Sequence, residues 1–196
     1  MPPIYAPVPP WNRPRSQYIR LYHGCTSHDA ANIQAHGIDL MLCRPDTDFG
    51  RGFYTTTVLY QARQWAWARF YDPAVARVRP NQPVVLKFVL HRYHLADLYF
   101  ISFVLGGWSK HDFWSLVQHC RQSTPAMIND HRGPVLQADG TRWYDVACGS
   151  VAAFWRQRYA MQDADQFSFH TAGGVRVLQR LIDRGDKRFF DAKPLP

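Results

Sequence analysis

Apolar and polar positions change rhythm several times along the chain, and each change marks an element. Tyr18 to His23 alternates and predicts a short strand ending at Gly24. Residues 28–36, with Ala30, Ala31, Ile33 and Ala35, predict a helix closed by Gly37, where glycine takes a left-handed cap at little cost. Phe53 to Thr57 reads as a second strand. Leu59 to Tyr71 places apolar residues at 59, 62, 65, 66 and 70, which is helical spacing, and Pro73 stops it. Val84 to Leu90 is an apolar, β-branched run that predicts a buried strand, and Tyr99 to Leu105 suggests another before Gly106-Gly107 breaks the pattern. Phe113 to Cys120 fits a packing helix. Tyr144 to Val151 and Gln166 to His170 read as strands, Gln157 to Met161 is open between types, and Gly174 to Ile182 predicts an amphipathic helix ending before Gly185. No internal repeat is present.

Residues 1–16 contain six prolines, which cannot donate ladder hydrogen bonds, so they are expected to form an arm outside the core. Trp11 leaves two possibilities for it, a disordered arm or one docked on the body or on a partner. Residues 17–196 then suit one domain.

Composition narrows the class. Hydrophobic residues make up 46% and charged residues 19%, a globular balance, and the 15% aromatic content suits strands and stacking surfaces. Twenty-three basic against 15 acidic residues give a net charge of +8 and a pI near 9.6, enough to attract polyanions. The basic residues are scattered rather than clustered, so a nucleic-acid partner is one reading and solubility another. Cys25, Cys43, Cys120 and Cys148 have irregular spacing, with no C-x-x-C pair, so neither structural zinc nor a disulfide scaffold is expected. No stretch of about 18 apolar residues predicts a membrane span. The first residues lack the basic-then-apolar order of a secretory signal, so a bacterial cytoplasmic site is expected, or delivery into a target cell by a route without one.

Three ordered motifs carry candidate chemistry. They are Leu-Tyr-His-Gly at 21–24, Asp-Phe-Gly-Arg-Gly-Phe-Tyr-Thr-Thr at 48–56 followed by a Gln-Ala-x-x-Trp-Ala helix, and Asp-Gln-Phe-Ser-Phe-His-Thr at 165–171. Together they resemble the NAD-binding signature of the ADP-ribosyltransferases related to diphtheria toxin and the poly-ADP-ribose polymerases. The closer resemblance is to a bacterial family of small uncharacterised domains within that superfamily, with motifs YHG, DFGxGFYxT, QAxxWA, YDxVxGxVA and QxSFHT. It spans roughly residues 18–182 and implies an α+β fold: two small, mainly antiparallel sheets forming a split sandwich around an NAD cleft, with helices outside.

By that resemblance His23 would hydrogen-bond a ribose hydroxyl, using the donor and acceptor of its imidazole. Gly24 would let the nicotinamide amide reach main-chain groups. Tyr54 would pack its ring on nicotinamide, with Gly50 and Gly52 letting the backbone turn beside the ligand. Trp65, eleven residues after Tyr54, would supply a second ring, unless it only packs its helix. Many members of that superfamily carry a serine three residues before that ring, and here the position is Ala62. Arg51 would reach the pyrophosphate with its forked donors, or else stand solvated in its loop. His170 and Asp145 are expected to be structural.

Gln166 takes the third position of the triad, where many relatives carry glutamate. An amide can bond a ribose hydroxyl but can neither oppose cationic charge nor remove a proton. The resemblance therefore implies transfer of a single ADP-ribose unit from NAD to a protein or nucleic-acid acceptor, by a toxin or effector, with NAD as co-substrate and no metal. The alternatives are an NAD glycohydrolase and a non-catalytic module that binds NAD, nucleic acid or a partner. An antitoxin or chaperone binding the arm is a possible further partner.

Overall fold

The computed structural model describes residues 17–73, 81–104, 109–122 and 144–196. The proline-rich arm with Trp11, the Gly106-Gly107 break and Leu105 lie outside those residues. Among them the chain forms seven strands and five α-helices in a mixed α+β arrangement.

Strand β1 (Tyr18–Thr26) leads directly into α1 (Ser27–His36). Thr26 caps that helix in a reciprocal box: its hydroxyl accepts from the Asp29 amide at 3.2 Å and its amide donates to the Asp29 carboxylate at 3.3 Å. Gly37 ends the helix at φ +84°. Strand β2 (Phe53–Thr55) precedes α2 (Leu59–Tyr71), then β3 (Pro83–His91), the single-turn α3 (Tyr93–Ala96) and β4 (Phe100–Ser102). Helix α4 spans Ser109–Gln122. Strands β5 (Val146–Phe154) and β6 (Tyr159–Phe169) make a hairpin, so the ambiguous 157–161 segment is its turn and return, with Arg158 left-handed at φ +58°. Helix α5 (Ala172–Asp183) and strand β7 (Phe190–Pro194) complete the fold. The 99–105 segment yields only a three-residue strand, and β7 was not foreseen.

The strands form two sheets, ordered β1-β3-β7 and β2-β6-β5-β4, antiparallel except for the β4/β5 pair. Alternation sorts their side chains. Leu21, Leu86, Phe88 and Leu90 from the first sheet meet Phe53, Val146, Phe167 and Phe169 from the second, and Leu178 and Leu181 of α5 join this principal core. On the other face of the first sheet, Val85 packs with Ala62 and Ala66 of α2. On the other face of the second, Ala147 and Ala152 pack with Phe113, Leu116 and Val117 of α4, and with Phe49. The result is two sheets face to face with α2 and α4 outside, so that each sheet buries apolar residues on both faces.

Asp145, at the entry to β5, does the structural work expected of it. Its carboxylate accepts the Thr171 hydroxyl and, at 3.0 Å, the Tyr99 amide. Thr171 caps α5 by accepting from the Gly174 amide at 3.1 Å.

Candidate functional site

The two sheets meet edge to edge at one point and then part. Tyr22 and Thr56 exchange two main-chain hydrogen bonds, of 2.7 and 2.9 Å, in an isolated antiparallel bridge between β1 and the end of β2. In a continuous ladder the next pair would be Gly24 with Tyr54. Instead the ring of His23 takes the Tyr54 carbonyl, with Nδ1 at 2.6 Å. A carbonyl only accepts, so this bond places the proton on Nδ1 and leaves Nε2 as an acceptor. The ring stacks on Phe53 at 4.3 Å between centroids. Burial pushes the imidazole pKa below its ordinary value, so the neutral ring is the form held at the fork.

Strand alternation turns the main-chain N–H and C=O of Gly24 to the same side as those of Tyr22, into the fork. The missing side chain has a packing role. A Cβ on Gly24 would lie 2.0 Å from the Ala62 carbonyl oxygen and 2.6 Å from the Ala66 nitrogen, so glycine lets α2 sit against β1. Ala62, 1% exposed, is small for the same reason. A serine at position 62 would stand in that packed contact.

Tyr54 projects to the opposite face of β2 from Phe53, so its side chain and His23 are joined through the Tyr54 carbonyl rather than ring to ring. Its hydroxyl organises the preceding loop: it accepts from the Thr47 hydroxyl at 2.8 Å and the Phe49 amide at 2.9 Å, and donates to the Gly50 carbonyl at 2.8 Å. Gly50, at φ +79°, makes the turn possible. Arg51 donates from Nη1 to the carbonyls of Met41 and Cys43, at 2.8 and 3.2 Å, and so anchors the 40–43 segment rather than standing free in solvent. Gly52 lies against His170, whose Nδ1 donates to the Arg51 carbonyl at 2.8 Å and whose Nε2 meets Ser168 at 2.7 Å. The histidine thus fastens the loop to the end of β6, as its structural reading required.

Continuing the β2/β6 register, Gln166 faces Thr56, two residues along from the Tyr54/Ser168 pair and on the same side of the sheet as Tyr54. Its amide donates twice, to Asp48 Oδ2 at 2.7 Å and to the Ser150 carbonyl at 2.8 Å. Asp48 is 2% exposed. Its Oδ1 accepts from Arg121 at 2.6 and 3.0 Å, and its Oδ2 also accepts from the Ala152 amide at 2.8 Å. The first of the two register irregularities in the β5/β6 pairing falls between Ser150 and Ala152, both of which bond this cluster.

A second network ties α2 to β6. The Gln61 side chain donates to the Asp165 carbonyl at 2.9 Å and accepts its amide at 3.2 Å, as a strand neighbour would. The Asp165 carboxylate accepts from the Thr56 hydroxyl at 2.6 Å, the Thr57 amide at 2.8 Å and the Thr57 hydroxyl. Asp48, Gln61 and Asp165 all sit inside the motifs but were not singled out by type. Arg121 carried no signal at all. All 15 acidic residues of the chain are aspartates, so any carboxylate near the fork comes from an aspartate.

Trp65 lies one turn beyond Gln61 on α2 and is 57% exposed, whereas Trp67 packs on Phe70 and Tyr71. Cys25 is buried and its thiol pKa is pushed up by burial, which disfavours a nucleophilic role. Among the described residues, no three His, Cys or Asp side chains gather as metal ligands, and no helix is long and apolar enough to cross a membrane.

Residues 19–179 match a family described as "Protein of unknown function (DUF3990)". The chain belongs to that family. No curated protein and no solved structure matches it.

Proposed function

We propose that this chain is an NAD-dependent mono-ADP-ribosyltransferase of toxin or effector type. The observation that supports this reading most is the register at the fork: His23, Tyr54 and Gln166 stand on the neighbouring strands β1, β2 and β6, where the two sheets part. The motif resemblance assigns the same three positions to NAD. In this reading the Gly24 main chain meets the nicotinamide amide, the neutral His23 bonds a ribose hydroxyl, and the Tyr54 ring bounds the nicotinamide. Trp65, exposed one turn along α2, offers the second ring.

The bond from the ribose anomeric carbon to nicotinamide breaks, and nicotinamide leaves with the electron pair. A nucleophile on a protein or nucleic-acid acceptor then bonds that carbon and loses its proton to solvent or to its own surroundings. The transition state resembles an oxocarbenium ion, so orientation of the ribose contributes more than a strong base. Gln166 suits that task through its carbonyl oxygen. Its amide cannot deprotonate an acceptor, which favours a single transfer over chain growth.

Incubation of the purified protein with labelled NAD and a cell lysate, with and without nuclease, tests the reading. Macromolecular label that is lost in a folded Tyr54→Ala variant is the expected result. Free ADP-ribose without labelled macromolecule would replace transfer by hydrolysis, and intact, unbound NAD would overturn the reading.

A further inference from the structure

We propose that Asp48 is the positioning residue for Gln166 and the reason this chain carries an amide there: with the Ser150 carbonyl it takes both amide hydrogens, so only the carbonyl oxygen is left to meet a ligand. A free amide can turn over and offer either end. Here Nε2 lies 2.7 Å from Asp48 Oδ2 and 2.8 Å from the Ser150 carbonyl, two groups that only accept. The flipped amide would set its oxygen against two oxygens. Asp48 cannot move aside, because Arg121 and the Ala152 amide hold its other lone pairs. A relay therefore runs from α4 through the 47–50 loop to β6. The charged bond at the nitrogen end strengthens the oxygen as an acceptor. That the ligand group is a ribose hydroxyl rests on the function proposed above; the pairing of positions 48 and 166 does not.

A carboxyl at position 166 would meet the Asp48 carboxylate at hydrogen-bond distance, where both cannot be ionised. The charged and titratable groups that interact with Asp48 are Arg121 and Cys120 from α4 and Tyr54 from β2, while Asp165 precedes Gln166 on β6 and has Cys148 of β5 near it. Burial pushes Cys120 up to about 12 and Cys148 up to about 11, and raises Tyr54 as well. Asp165 stays with Thr56 and Thr57. A pH dependence gained by Gln166→Glu therefore belongs to the 48/166 pair.

The test is thermal unfolding of the full chain and its Gln166→Glu, Asp48→Asn and doubly substituted variants between about pH 5 and 8, with NAD turnover on the same samples. The new carboxyl has a folded-state pKa raised above its unfolded value, so its stability is present at low pH and lost as pH rises. We expect the Gln166→Glu midpoint to fall against the parent by about 5–10 °C across that range. The double variant removes that slope. Asp48→Asn should lower kcat for NAD about 10- to 100-fold, with a smaller change in KM. Parallel pH–stability curves for Gln166→Glu and the parent would overturn the pairing, and they are readable even if Asp48→Asn does not fold. An unchanged kcat in folded Asp48→Asn would overturn the positioning role. A parent protein that neither binds nor turns over NAD would overturn the function proposed above, while the unfolding curves would still decide the pairing.

Discussion

Substituting Gly24 by alanine tests how β1 and α2 are joined, and the size of its effect follows from three distances. The new Cβ would lie 2.0 Å from the Ala62 carbonyl oxygen, 2.6 Å from the Ala66 nitrogen and 3.1 Å from the Ala62 carbonyl carbon. Non-bonded heavy atoms settle near ~3.5 Å, so the helix must retreat by roughly 1 Å or more. All three atoms are main chain, and no change of rotamer relieves them. Overpacking of this kind costs about 1–3 kcal/mol, and with a rigid helix as the obstacle we expect about 3 kcal/mol. For a chain of this length that is a fall of about 6–12 °C in Tm. The displaced helix also carries Gln61, whose amide holds both main-chain groups of Asp165 beside Gln166, so the fork should loosen with it. Guanidinium and thermal unfolding of Gly24→Ala measure the loss. Because the clash is with backbone, adding Ala62→Gly should not restore stability. A loss under about 1 kcal/mol, or rescue by Ala62→Gly, would refute the account of why glycine follows His23.

The remaining predictions concern the loop, the histidine and the thiols. Tyr54→Phe removes the acceptor of the Phe49 amide and the donor to the Gly50 carbonyl, so it should cost about 1–3 kcal/mol and speed hydrogen exchange at Phe49; unchanged exchange there would refute the hydroxyl's role. His23 has a folded-state pKa below its unfolded value of 6.5, so the stability it contributes is complete above that pH and is lost as pH falls below it. The difference in unfolding free energy between the parent and His23→Asn should shrink as pH falls from about 7.5 to 5, and a constant difference would refute it. Cys25, Cys120 and Cys148 are buried and burial pushes their thiols up, so a mass-spectrometric alkylation assay at about pH 8 should leave all three unmodified in the native protein and label them after denaturation.

Local pattern sufficed wherever an element could be specified by its own residues. Helix α2 was legible because its small residues at 62 and 66 and its aromatic positions repeat at helical spacing, and α1 because Gly37 marks its end. Strand β1 was legible because its residues alternate, and β3 because it is an apolar, β-branched run with few exposed positions. Strand β7 was not, since Phe190–Pro194 shows little alternation and is defined by its pairing with Val84–Phe88, about a hundred residues earlier. The 157–161 segment could not be resolved alone because its type is fixed by the hairpin partner, with Phe154 opposite Tyr159.

For the candidate site, the sequence by itself determined the motifs, their order and the residue types at 23, 54 and 166, because the amino acid at a position is independent of its neighbours in space. It also carried Asp48, Gln61 and Asp165 within those motifs. Only the tertiary structure decided what each one touches. Gly24 is small for α2, the Tyr54 hydroxyl holds the 47–50 loop, Arg51 anchors the 40–43 segment, and Gln166 is gripped by Asp48 and through it by Arg121. The physical reason is range: propensity and periodicity act within a few residues, whereas these contacts join positions up to 118 apart, where only the docking of two sheets and their helices sets the distance.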